Sequence, residues 1–229
     1  MAVGARKMLT RSFSAAVLLL SAACGDAVET AAPQVNFAQP FPAFARDLAA
    51  FPARHQGAYA LPDDPARQLV IGARAVWQQQ LVRLAETKAS FDSSGLKPAP
   101  LGKWQMHQSL AYRLLRVRPD SVWLECYWPD TLFALTMRAG NRLRRWQGTY
   151  YLSYPDSASW RTERLVLQGQ LLHWQALGTD TLRLAALPAG VVRRVGRRHW
   201  QLQPTSRPHA RQVARYAGLW VEKGRYERQ

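Results

Sequence analysis

Five histidines, at positions 55, 107, 173, 199 and 209, are the side chains of this 229-residue chain best suited to proton transfer or metal binding near neutral pH. None stands at HExxH or another zinc spacing, and no CxxC, GxSxG, P-loop or GxGxxG occurs. Catalytic triads assemble from distant positions, so a hydrolase with dispersed catalytic residues stays open as an alternative. The sequence itself nominates no catalytic residue, no metal ligand and no cofactor. Asp63 and Asp64, set between Pro62 and Pro65, read as a solvated turn rather than a cation site. Cys126 lies inside the apolar run Val122–Trp128 and reads as an inert buried thiol.

Arginine and tryptophan carry more information. The chain has 31 basic and 15 acidic residues, a formal net charge of +16, and arginine supplies 26 of the bases. From Arg193 to Gln229 ten bases face two acids, Glu222 and Glu227. Arg193, Arg194, Arg197 and Arg198 flank Gly196, as at the tip of a hairpin. Arg207, Arg211 and Arg215 recur four apart, along one helix face. Guanidinium forks match phosphates and carboxylates, so these seven arginines are the candidate contact for an anionic surface. Of nine tryptophans, Trp77, Trp123, Trp128 and Trp174 are the candidate lining of a ligand cavity, as in a lipocalin-like carrier of an apolar or amphipathic molecule. The competing role for them is the core and rim of a sheet.

The N-terminus decides what a basic surface would meet. Arg6, Lys7 and Arg11 precede a short apolar stretch, Ser12–Leu20, and the small residues Ser21, Ala22 and Ala23 lead into Cys24. This is the pattern of a secretory signal, too short for a membrane-spanning helix of about 20 apolar residues. With its cysteine the segment resembles a bacterial lipoprotein signal. The resemblance implies cleavage before Cys24, lipidation of Cys24 and anchoring of the mature chain in the cell envelope. Gly25 follows the cysteine and Asp26 comes one later, which by the family's sorting rule favours the outer membrane over the inner. A lipidated Cys24 leaves Cys126 without a disulfide partner. Anionic lipid head groups or envelope polymers are then the expected partners, and nucleic acid is not. The implied role is non-enzymatic binding or scaffolding at the envelope.

The elements that must position these residues read as strands. After the signal (1–23), residues 24–54 form an Ala-, Pro- and Phe-rich tether whose stretch Phe41–Phe51 can dock on the body. Residues 55–229 read as one β-rich domain. Gln56-Gly57-Ala58-Tyr59-Ala60-Leu61 recurs as Gln147-Gly148-Thr149-Tyr150-Tyr151-Leu152. Each copy continues through a polar turn, an apolar triplet (Leu69–Ile71 or Leu165–Leu167), a glycine and a tryptophan run around Trp77 or Trp174. That order predicts three consecutive antiparallel strands in each half. Val70, Ala73, Trp77, Leu81 and Leu84 also fit a helical face, but the echo favours strands. Asp-Ser or Asp-Thr before Val122, Leu132 and Leu182 predicts three further strands. Others are expected within Met106–Arg118, Arg142–Trp146, Val191–Val195, His199–Leu202 and Leu219–Glu227. A helix near 208–217 begins at Thr205-Ser206-Arg207-Pro208. The expected fold is a mainly β antiparallel meander, with two related halves forming a barrel or curved sheet and a short C-terminal helix.

Overall fold

The structure is a computed structural model that describes residues 33–229 apart from Ala99, Gln108, Ser109 and Ala217. The signal segment and Cys24 lie outside the described residues. Among the described residues fourteen strands occur: β1 (Gln34–Phe37), β2 (Gly57–Leu61), β3 (Asp64–Ile71), β4 (Ala75–Thr87), β5 (Trp104–His107), β6 (Leu110–Val117) and β7 (Ser121–Ala134) in the first part. The second part holds β8 (Arg142–Trp146), β9 (Thr149–Asp156), β10 (Ser159–Gln168), β11 (Leu171–Leu177), β12 (Val192–Arg194), β13 (His199–Leu202) and β14 (Trp220–Arg228). The same described residues form the short helices α1 (Lys88–Ser93), α2 (Thr181–Ala185) and α3 (Arg207–Arg215).

The chain is mainly β, and among the described residues all but one of the strand pairs are antiparallel; β1 runs parallel to β13. The two echoed halves form the expected meanders, β2-β3-β4 and β9-β10-β11, and the stretch that also fitted a helix is the β3–β4 hairpin. The C-terminal β14 lies between β11 and β2 and joins the halves. The sheet curls so that its inner face packs on one core, including Tyr59, Leu69, Val76, Phe133, Tyr150, Leu165 and Leu172, without closing into a barrel.

One residue of register separates the halves. On β10–β11, Leu165 pairs with Trp174, which therefore points inward and is 5% exposed. On β3–β4, Leu69 pairs instead with Gln78, and Trp77 pairs with Val70 on the outer face. A side-chain period of two turns that single step into a change of face.

Two further parts extend from this body. β4 and β7 run on as an arm with β6 and β5, where Tyr112, Leu114, Val122, Leu124 and Cys126 are covered by Phe91 of α1. The buried Cys126 thiol is pushed upward by desolvation, in keeping with an inert side chain. On the opposite flank, β1, β12, β13, α2 and α3 form a lobe around Phe37, Phe41, Leu184, Val191, Leu202, Val213 and Trp220. Helix α3 buries Ala210, Val213 and Ala214, an i, i+3, i+4 stripe, and leaves Arg207, Arg211 and Arg215 outward. Arg164 of β10 donates Nη1 to the Ala214 carbonyl at 2.5 Å and so ties the helix C-terminus to the body.

Three expectations change. Asp180-Thr181-Leu182 starts α2 rather than a strand, because the Asp180 carboxylate accepts from the Leu182 and Arg183 amides as an N-cap. Asp130 and Thr131 do not open a strand but lie within β7, beside the bulge opposite Val76 and Trp77. Finally, the spacer is shorter than expected: besides the stretch Phe41–Phe51, which docks on the body and buries Phe41 and Phe51, the chain before it also packs onto the sheet, with Val35 and Phe37 buried. Arg144 holds that segment, reaching Asp47 Oδ1 at 2.7 Å and the Pro40 and Pro42 carbonyls at 2.5 and 2.9 Å.

Candidate functional site

Between Asp180 and Glu222 the chain has eight arginines and no carboxylate. Asp180 is already used, capping α2 and pairing with Arg183 at 3.1 Å. Folding this stretch into one lobe therefore gathers positive charge on a segment that carries no carboxylate of its own. Among the described residues, no carboxylate forms an ion pair with Arg193, Arg194, Arg197, Arg207, Arg211 or Arg215.

Two elements present the charge. The first is the β12–β13 hairpin, whose turn exposes Arg193, Arg194, Arg197 and Arg198 around an exposed Val195. Arg194 bends back on this turn: Nε reaches the Gly196 carbonyl at 3.2 Å, Nη2 reaches that of Arg197 at 2.6 Å, and the guanidinium stands 5.6 Å from the Trp200 ring. It stiffens the turn, while Arg193 and Arg197 extend into solvent. The second is α3, held at its start by Ser206, which accepts from the His209 amide at 3.3 Å. Arg207 lies 5.3 Å from the Phe44 ring. Arg211 and Arg215, with Pro188, Pro208, His209 and Gln212, border a shallow groove of about 570 Å³.

The four candidate cavity tryptophans are not brought together. Trp174 is in the body core, Trp77 is half-buried on the outer face, and Trp123 and Trp128 are 46% and 64% exposed on opposite faces of the arm. A second, apolar cleft of about 240 Å³ between Phe37–Ala43 and Leu202–Thr205 involves none of them.

Two buried carboxylates escaped the sequence reading. Glu125 on β7 is gripped by Arg83 and Arg113 from the neighbouring strands. Glu163 on β10 accepts from Trp174 Nε1 at 2.9 Å, Tyr154 Oη at 3.2 Å and Lys223 Nζ at 2.9 Å. Lys223 reaches it because a bulge in β14 opposite Trp174 and Gln175 leaves this residue out of the ladder. Burial, then the Glu163 charge, pushes the Tyr154 phenol far above its ordinary range. Trp174 of β11, Tyr154 of β9 and Lys223 of β14 all donate to Glu163 of β10, so the cluster cross-links four strands. A usable signal was present in the alternation Glu163-x-Leu165-x-Leu167, which places a carboxylate on a core face.

Among the described residues no group of three His, Cys, Asp or Glu is placed to hold a metal ion. No helix among them is long and apolar enough to cross a membrane. Comparison with protein families, with curated proteins and with solved structures finds no match to the chain.

Proposed function

We propose that the protein is a lipid-anchored cell-envelope module, favouring the outer membrane, whose basic lobe binds the anionic surface to which its own anchor is attached. The role is binding or scaffolding rather than catalysis. The observation that carries this reading is the carboxylate-free stretch between Asp180 and Glu222, folded so that a hairpin and a helix expose its arginines.

Chain connectivity supports it. The Gln34 amide donates to the Arg198 carbonyl at 2.9 Å, and β1 runs beside β13 from Gln34↔His199 onward. The described chain thus enters the molecule at the arginine turn. Ten peptide steps separate Cys24 from Gln34, which limits their separation to roughly 35 Å whatever the path. A lipid on Cys24 would hold the turn within that distance of the bilayer, where each arginine at the surface gains about 1 kcal/mol from anionic lipid. The Debye length of about 8 Å at physiological salt makes this contact short-ranged and salt-sensitive.

The test uses the chain from residue 25 onward with phosphatidylglycerol vesicles and with phosphatidylcholine vesicles. Binding to the anionic vesicles only, weakened by salt, is expected. Arg193→Glu, Arg197→Glu, Arg211→Glu and Arg215→Glu together should abolish it, since none of these side chains has a described ionic partner that folding would lose. Binding unchanged by the four reversals removes the lobe from consideration. Anchoring is tested separately: Cys24→Ala should eliminate palmitate labelling of the full chain, and an acylated Cys24→Ala product refutes the anchor.

A further inference from the structure

A second cationic cluster gathers where the turn Ala53–His55, the β8–β9 hairpin and the end of β14 meet. At its centre His55 Nδ1 hydrogen-bonds to the hydroxyl of Tyr150, a fully buried residue of the inner face, with the rings edge-on at 5.5 Å. The backbone of His55 is fixed as well, because Tyr59 Oη donates to its carbonyl at 3.0 Å. Arg228 straddles the same residue, donating Nη1 to the Arg54 carbonyl at 3.1 Å and Nη2 to that of Gln56 at 3.3 Å. Arg145 stands against the partner of the His55 hydrogen bond, its guanidinium 5.4 Å from the centroid of the Tyr150 ring.

Arg145 and Arg228 thus bring their guanidinium groups to the segment that carries His55, and the neighbouring Arg54 adds a third positive charge there. Among the described residues none of them is ion-paired with a carboxylate. The Nε of Arg145 is buried and has no hydrogen-bond partner there, a costly state for a charged donor. Burial first, and then the charges of Arg145, Arg54 and Arg228, hold the His55 imidazole below its ordinary value. The imidazole thus adds no fourth charge near neutral pH.

We propose that Arg54, Arg145, Arg228 and His55 form a binding site for a phosphate group, either free or carried by a phosphomonoester. Planar guanidinium forks match the oxygens of a tetrahedral oxyanion, and a doubly charged phosphate neutralises most of three cations. A single carboxylate leaves two of them unbalanced. The site draws on different residues from the basic lobe and does not depend on the lobe binding membrane.

Thermal unfolding of the full chain in inorganic phosphate and in chloride at equal ionic strength tests the site. A saturable rise in Tm with phosphate, absent with chloride, is expected. Arg145→Gln should weaken phosphate about tenfold, the usual effect of losing one charge-assisted contact. The exposed Arg54→Gln gives a second reading if Arg145→Gln fails to fold, and phosphorus NMR line broadening on the unaltered protein needs no variant. Equal effects of phosphate and chloride, or unaltered phosphate affinity in the folded variants, overturn the proposal. Vesicles with and without phosphatidic acid, offered to the protein carrying the four lobe reversals, identify the source. Capture that free phosphate competes away assigns a lipid phosphomonoester, whereas saturation by free phosphate without vesicle capture assigns a soluble ligand. Either result upholds the site, and both can be read even if the lobe proves inert.

Discussion

Glu125→Gln is the sharpest test of how the arm is held together. Register places Arg83 of β4 and Arg113 of β6 directly opposite Glu125 on β7. Oε1 accepts from Arg83 Nε at 2.6 Å, and Oε2 accepts from Arg113 Nε at 2.6 Å and lies 2.5 Å from Arg113 Nη2 in an ion pair. The carboxylate side chain is 1% exposed, against 76% for Arg83 and 34% for Arg113. So exposed an Arg83 keeps much of its hydration, and its link belongs in the surface-pair range of about 0.5 kcal/mol. The better-covered, two-point Arg113 link contributes about 1 to 1.5 kcal/mol. The expected loss on Glu125→Gln is then about 2 kcal/mol, well short of the 3–5 kcal/mol typical of breaking a fully buried pair. The pH dependence has a definite sign. The Arg83 hydrogen bond, assisted by Arg113 and opposed by burial, holds the Glu125 carboxyl below its ordinary value of 4.5. A depressed folded-state pKa gives stability that is present above the unfolded value and lost as the pH falls through the folded one. Urea unfolding of both proteins at neutral pH and at a series of values below 4.5 should therefore show the gap narrowing with acid. Equal stability at neutral pH, or a gap that keeps its size in acid, refutes an ionised, paired Glu125.

Two other substitutions probe the elements behind the fold and the basic surface. Ser206→Ala removes the N-cap of α3 and should cost about 1 kcal/mol in chemical denaturation, whereas Thr205→Ala, one residue outside the cap, should cost little. Gly72→Ala would bring a Cβ to 2.7 Å from Cζ3 of Trp77, so a loss of about 1 to 3 kcal/mol is expected. In a Trp77→Leu background that loss should largely vanish, and a loss of the same size in both backgrounds would refute the contact as its cause.

What could be read from the residues, and what could not, follows from the range of each interaction. Strand type and order were legible because turns, alternation and the Gly-x-Tyr echo are local, and both halves fold as that echo requires. The amphipathic α3 was legible for the same reason, with its Ser206 cap and its Ala210–Val213–Ala214 stripe close in sequence. The Asp180 side chain was ambiguous even locally, since one carboxylate can bond backbone amides in a turn or at a helix start. Facing was harder. Trp77 and Trp174 occupy matching places in the echo, yet one step of register turns Trp77 outward and Trp174 inward, and with them goes a shared tryptophan cavity. The candidate sites divide along the same line. Arginines near in sequence, such as Arg193–Arg198, share a hairpin that composition and a glycine already mark. His55, Arg145 and Arg228 lie far apart along the chain, and they come together only because β14 closes against β2 while Tyr150 of β9 reaches His55. No spacing rule encodes that meeting, since it exists only once the sheet has curled. The seven nominated arginines form a surface that any basic stretch can offer, whereas the cluster around His55 is a product of the whole fold. A phosphate site there would depend on topology in a way that exchanging one exposed arginine for another cannot reproduce.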